Sequence, residues 1–119
     1  MNRSGRDLID EAKRRIREVT PAEAMRLRAS DGAVVFLDVR DLNEVILGKI
    51  PGAVHVSRGN LETKIEAAVP RDAKVVIYCA TGNRSALAAV TMEAMGYRDV
   101  CSMSGGIRDW AALGGDIEG

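Results

Sequence analysis

Apolar residues recur along this chain in two alternating rhythms. Leu8, Ile9, Ala12 and Ile16 fall on one helical face with charges between them. Ser4 stands at the N-cap position, and Asp7 follows three residues on as the partner of a capping box. Val19 reads as a very short strand. Thr20-Pro21 is an N-cap followed by proline at the first helical position. The helix it opens, with Ala24, Met25 and Leu27 as apolar positions, is expected to stop near Asp31-Gly32. Residues 34–37 form a short β-rich run of the kind buried on both faces of a parallel sheet. Asp41 caps a helix carrying Val45, Ile46 and Leu47, ended by Gly48, and Pro51-Gly52 is a turn. Residues 53–56 are another short strand, and a helix over 60–68 is closed by Pro70. Residues 74–78 give the second clear buried strand. Ser85 opens a small-residue helix to Met95, ended by Gly96. A last strand covers 100–103, Gly105-Gly106 breaks it, and a short helix covers 107–113.

Strands alternating with helices predict an α/β domain with a mostly parallel sheet, helices on both faces and right-handed crossovers. Ligands bind such sheets beyond the carboxyl ends of the strands. Segments 38–40, 79–84 and 104–106 should therefore meet at one end of the molecule.

Composition narrows the function. The chain has 119 residues, the size of one domain, and is 46% hydrophobic and 29% charged, which excludes a disordered chain. Its longest apolar runs, such as residues 33–37, are too short for a membrane span. No apolar N-terminal segment resembles a secretory signal, so the expected location is the cytoplasm. Seventeen basic and 17 acidic residues cancel, giving no overall pull toward nucleic acid or an anionic membrane. Aromatic residues are too sparse, at 3%, for a base-stacking platform. Cys79 and Cys101 are too few for a disulfide scaffold and are expected to be free thiols. With His55 the only histidine, a structural zinc site lacks its usual ligands.

The chemistry concentrates in Cys79-Ala80-Thr81-Gly82-Asn83-Arg84-Ser85. A cysteine at a strand's end, followed by a tight loop and a helix N-terminus, meets unpaired N–H groups and the positive end of the helix dipole. Both favour thiolate over thiol, and such sites lower a thiol pKa from about 8.5 to roughly 3.5–7.5. Gly82 supplies a backbone conformation that a Cβ resists. Arg84 adds a positive charge at the rim, and Thr81 and Ser85 offer hydroxyls. The loop is a cradle for an anion attached to, or attacked by, the Cys79 sulfur. The alternative, Cys79 as a buried small hydrophobe, leaves the glycine, arginine and helix start after it unexplained.

This loop resembles the active-site loop of single-domain rhodaneses, the thiosulfate sulfurtransferase-like proteins. Leu37-Asp38-Val39-Arg40 followed by Glu44 is similar to the family's first signature. Gly48-Lys49-Ile50-Pro51-Gly52-Ala53 is similar to its Gly-His-Ile-Pro-Gly-Ala, with Lys49 replacing the histidine. Gly105-Gly106-Ile107 with Trp110 is similar to its C-terminal Gly-Gly-Ile…Trp. The resemblance covers about residues 18–113; residues 1–17 form an additional amphipathic helix ahead of a domain over 18–119.

The resemblance implies a three-layer α/β/α domain with a five-stranded, mostly parallel sheet. It implies that Cys79 takes sulfane sulfur from thiosulfate or a persulfide donor and passes it to cyanide, a thiol or a protein thiol. No metal or organic cofactor is expected, and no nucleic-acid or membrane partner. Ala80, Thr81, Gly82, Asn83, Arg84 and Ser85 would bind the substrate. A non-enzymatic sulfur-carrier or regulatory module is the alternative, followed by a cysteine phosphatase or arsenate reductase. Related phosphatases and reductases carry Cys-x5-Arg, whereas Cys79 to Arg84 is Cys-x4-Arg, a smaller ring.

The remaining residues read more plainly. Asp38 and Arg40 are supporting residues, a brace in which Arg40 pairs with Glu44 one helical turn on. Arg58 is a candidate for attracting an anionic donor, with a solvated surface arginine as the equal alternative. His55 reads as a structural histidine, and Gly105, Gly106 and Trp110 as packing residues. Cys101 reads as core, with a resolving thiol for Cys79 as the lesser reading. The first helix reads as packed on its own domain.

Overall fold

Reciprocal capping boxes open the first two helices of the computed structural model, which describes residues 2–119. In α1 (Gly5–Arg15), Asp7 N–H donates to Ser4 Oγ and Ser4 N–H donates to the Asp7 carboxylate, both at 3.0 Å. In α2 (Pro21–Ser30), Thr20 and Glu23 repeat the exchange at 3.0 and 3.1 Å. Between them lies β1 (Glu18–Val19), and β2 (Val35–Asp38) follows α2. Next come α3 (Leu42–Val45), β3 (Val54–His55) and a 3-10 turn (Arg58–Asn60) leading into α4 (Leu61–Ala68). The chain ends with β4 (Lys74–Tyr78), α5 (Asn83–Ala94), β5 (Asp99–Met103) and α6 (Gly106–Ala112).

The five strands form one sheet in the order β1-β5-β4-β2-β3, and every pairing is parallel. The α/β reading of the hydrophobic pattern therefore holds. Alternation along each strand divides the core in two. Leu37, Val75, Ile77, Cys79 and Val100 face α1, α4 and α5, packing with Ile16, Leu61, Ile65, Ala88 and Met92. Val19, Phe36, Val76, Tyr78, Cys101 and Met103 face α2 and α6, packing with Ala24 and Trp110. Trp110 meets Phe36 edge-on at 5.7 Å. α1 lies against α5 and buries Ala12 and Ile16, while Leu8 stays 48% exposed. Among the described residues no helix is long and apolar enough to cross a membrane.

The sheet removes the resolving-thiol reading of Cys101. Cys101 pairs with Val76 on β5 and points to the α2/α6 face, whereas Cys79 points to the α5 face. Cys79 is three residues further along, about 10 Å at strand rise. A disulfide needs Cα atoms within about 7 Å. Two helix boundaries also differ from expectation. α3 is a single turn, and Ile46 and Leu47, 67% and 87% exposed, lie beyond it. α5 begins at Asn83 rather than Ser85, because Gly82 at φ +103° turns the chain into the helix two residues earlier.

Candidate functional site

β4 ends at Tyr78, and the next residue, Cys79, is only 1% exposed. Its sulfur sits beneath the turn into α5. Gly82 N–H donates to Sγ at 3.1 Å and Ser85 N–H at 3.4 Å. These are loop and first-turn donors that α5 itself leaves unpaired. The left-handed φ of Gly82 aims the first of them, and a methyl there would sit 3.2 Å from Gly105 N. The Ser85 hydroxyl lies 3.5 Å from Sγ, and Ser102 Oγ donates to it at 2.8 Å. Burial alone would push the Cys79 thiol up. The Ser85 hydroxyl and the N–H groups of Ser85, Gly82 and Thr81 outweigh burial and hold the thiol below its ordinary value. Cys101 goes the other way, pushed up by burial.

The floor of the loop is backbone. Ile107 N–H, in the first turn of α6, donates to the Cys79 carbonyl at 2.9 Å, and Arg108 N–H donates to the Ala80 carbonyl at 3.2 Å. Gly106, at φ +60°, lets the two segments touch: a methyl there would lie 2.5 Å from the Cys79 carbonyl oxygen. The conformation and the close approach both require glycine.

Around the loop, charges pair differently from the sequence reading. Glu44 is matched to Arg84 rather than to Arg40. Both Arg84 Nη atoms donate to its two carboxylate oxygens, at 2.7 and 3.0 Å. That bidentate contact holds the Glu44 carboxyl down to about 2 and raises the Arg84 guanidinium further. Arg40 instead donates to Asp38, from Nε at 3.0 Å and from Nη2 at 2.7 Å. The Asp38 carboxylate is fully buried and Arg40 nearly so. Arg40 then reaches the carbonyls of Gly48, at 2.7 Å, and Glu44. The brace therefore runs from β2 through Arg40 to the α3 segment, and through Glu44 and Arg84 to α5.

Segments 38–40, 79–84 and 104–106 do meet at the carboxyl end of the sheet. Ala80 and Thr81 form the outer lip, Thr81 exposed; Asn83 and Arg84 are half-buried in the first turn of α5. Arg58 does not join them. Its guanidinium donates to Glu62 at 3.3 Å and to Thr91 at 3.2 Å. Thr91 is six residues beyond Ser85 on α5, about 9 Å along the axis. His55 Nε2 is 2.7 Å from the Arg40 carbonyl, a structural role. Lys49 bonds the Ala53 carbonyl and pairs with Glu118, against which it forms a short antiparallel bridge. Trp110 donates to the Asp116 carbonyl and packs in the core. Among the described residues no cluster of three or more His, Cys, Asp or Glu could hold a metal.

Sequence reasoning mispairs one residue here and misses another. Glu44 was assigned the wrong arginine, since i,i+4 spacing favours the local partner over one 40 residues away. Ser102 carries no signal beyond being a polar residue between two apolar neighbours.

The family model described as rhodanese-like domain matches residues 20–113. The chain is 37% identical over 81 residues to the putative sulfur carrier protein YrkF of Bacillus subtilis, covering 68% of this chain but only 43% of that protein. It is 35% identical over 96 residues to the thiosulfate sulfurtransferase GlpE of Pseudomonas putida, covering 81% of this chain and 86% of that one. A solved structure from Rhodopseudomonas palustris superposes with a TM-score of 0.89 at 40% identity, covering 99% and 96% of the two chains. That protein is of unknown function and is described as a possible tyrosine phosphatase.

Proposed function

The chain belongs to the rhodanese-like domain family, and from that premise we propose that it transfers sulfane sulfur with Cys79 as the carrier. One observation carries the reading: the Gly82 and Ser85 N–H groups converge on the Cys79 sulfur within a Cys-x4-Arg loop. The thiolate attacks the outer sulfur of thiosulfate. The new S–S bond forms as the old one breaks, and sulfite leaves with the bonding pair. Cys79 is left as a persulfide whose negative charge faces the loop donors. Cyanide or a thiolate then attacks the outer sulfur, and Cys79 returns as thiolate. Asp38 and Arg40 support the site through the brace. Arg84 orders the start of α5 through Glu44.

Mass spectrometry of protein treated with thiosulfate and kept free of reductant tests this. The expected result is one added sulfur on the peptide bearing Cys79, discharged by cyanide as thiocyanate and absent from Cys79→Ser. Thiocyanate production that survives in Cys79→Ser would overturn the assignment.

A second reading has its own support. Arg84 is matched by Glu44, Arg40 by Asp38 and Arg58 by Glu62, and the relative YrkF is named a sulfur carrier. A loop without an unmatched guanidinium suits a donor delivered by a partner protein at least as well as a free dianion. Loading from a protein persulfide but not from thiosulfate would select this reading. The phosphatase description of the Rhodopseudomonas relative is tested on the same protein with an aryl phosphate, for which no hydrolysis is expected.

A further inference from the structure

Two hydroxyls and one sulfur form a buried line beneath the loop. Ser102 Oγ is 2.8 Å from Ser85 Oγ, which is 3.5 Å from Cys79 Sγ. Both serines are fully buried. The neighbours of Ser102 on β5, Cys101 and Met103, belong to the opposite face of the sheet. Ser102 therefore projects into the layer built from Val75, Ile77, Val100 and Met92, where an unbonded hydroxyl is costly. Ser85 is its hydrogen-bond partner.

Counting protons along this line distinguishes the states of Cys79. Three atoms in a row share two links, and each link uses one proton. With Cys79 as thiolate there are two protons: Ser102 donates to Ser85, and Ser85 donates to sulfur. A persulfide carries no proton on the attached sulfur, so the same arrangement persists. A thiol brings a third proton, and one of the three is left without an acceptor in the line. The hydroxyl pair thus fits the two charged states of a transfer cycle and misfits the thiol. Ser102 strengthens that fit. Donating to Ser85, it polarises the Ser85 proton toward the sulfur. Without it, the Ser85 hydroxyl is less polarised and donates more weakly to the sulfur.

We infer that Ser102 is a positioning residue for sulfur transfer: donating to Ser85, it polarises the Ser85 proton toward the Cys79 sulfur and favours the thiolate and persulfide. The inference rests on Cys79 being the sulfur carrier proposed above.

The test is the rate of iodoacetamide alkylation at Cys79 against pH, followed on the Cys79 peptide by mass spectrometry. Ser102→Ala should move the inflection up by about half a unit, roughly a threefold slower reaction at low pH with an unchanged high-pH plateau. Ser102→Thr, which keeps the hydroxyl, should restore the wild-type profile. In a Ser85→Ala background, Ser102→Ala should add nothing further. An unmoved inflection in Ser102→Ala overturns the inference. So does a shift that persists without the Ser85 hydroxyl, or a threonine variant as slow as the alanine. Thiosulfate loading of the wild type separates the two ideas. Normal loading with an unmoved inflection overturns the role of Ser102 alone. A wild-type Cys79 that takes up no sulfur from thiosulfate or a protein persulfide overturns the carrier reading and this inference with it.

Discussion

Replacing Gly106 by alanine should damage both the fold and the site, by amounts the structure sets. The residue has φ +60°, and its added methyl would lie 2.5 Å from the Cys79 carbonyl oxygen and closer still to the Ala80 carbonyl. Both obstacles are backbone, so no side chain can swing away. Ordinary C···O contact begins near 3.3 Å, so the segments must separate by roughly 0.8 Å. That separation breaks the bonds from Ile107 N–H to Cys79 and from Arg108 N–H to Ala80. Two hydrogen bonds contribute about 1 kcal/mol each, and the left-handed conformation costs alanine about 1–2 kcal/mol. The loss is therefore about 3–4 kcal/mol. A chain of 119 residues unfolds with an entropy of roughly 250 cal/mol/K, so the melting temperature should fall by about 12–16 °C. Trp110, buried beside Phe36, reports the transition by fluorescence. Below the transition, thiocyanate formation should drop about a hundredfold, because the Cys79 carbonyl moves with the loop. Gly32→Ala is the control. A methyl at Gly32 meets nothing within 4 Å, and its melting temperature should stay within about 2 °C of wild type. A Gly106→Ala protein melting within about 3 °C of wild type with full turnover would refute the reasoning.

Cys101→Ser should keep more than about a tenth of the turnover, since Cys101 lies on the far face of the sheet; a larger loss in folded protein, beyond roughly 1.4 kcal/mol of barrier, would contradict that placement. The Glu44 carboxyl, held at about 2 against an ordinary 4.5, contributes stability that is complete above 4.5 and lost as pH falls toward 2. Glu44→Gln should therefore lose less stability than wild type between pH 4.5 and 2 in urea titrations; parallel curves would show that the pair contributes nothing. Inserting one glycine between Thr81 and Gly82 should cut thiosulfate turnover at least about a hundredfold, since the Gly82 N–H, now 3.1 Å from sulfur, would be displaced; unchanged turnover would sink the ring-size argument.

The parallel sheet and its two helical layers were readable in the sequence because they rest on local signals. Unbroken runs such as residues 74–78 mark strands buried on both faces, and Ser4 and Thr20 mark helix starts. The cysteine loop was readable for the same reason: strand, glycine turn and helix N-terminus are adjacent in the chain. What was not legible is what the fold joins from afar. Glu44 meets Arg84 across 40 residues, and Ser102 meets Ser85 across 17. Spacing rules such as i,i+4 know nothing of such pairs, and one of them misled the assignment of Arg40. Ile46 and Leu47 fail differently. An apolar pattern identifies side chains that prefer burial, but a one-turn helix on the rim has no inner face to offer them.

The pairing of charges bears on how the loop could hold an anion at all. Each guanidinium that the sequence placed near the site has its own carboxylate: Arg40 has Asp38, Arg84 has Glu44, and Arg58 has Glu62. In each pair the net charge cancels, so the long-range attraction expected from an arginine rim is weak. On the proposed sulfur-carrier reading, attraction comes at short range, from N–H groups already aimed at sulfur. Such donors need no rearrangement when charge arrives, and their value rises where water is excluded, as around a cysteine 1% exposed. The arginines bond to the scaffold of the loop. Arg84 tethers the first turn of α5 to α3, and Arg40 tethers α3 to β2. Those tethers keep the Gly82 and Ser85 N–H groups within 3.1 and 3.4 Å of the sulfur. On that reading the site works by geometry more than by charge, and its converging N–H donors favour an atom fixed at the end of β4 over a free ion.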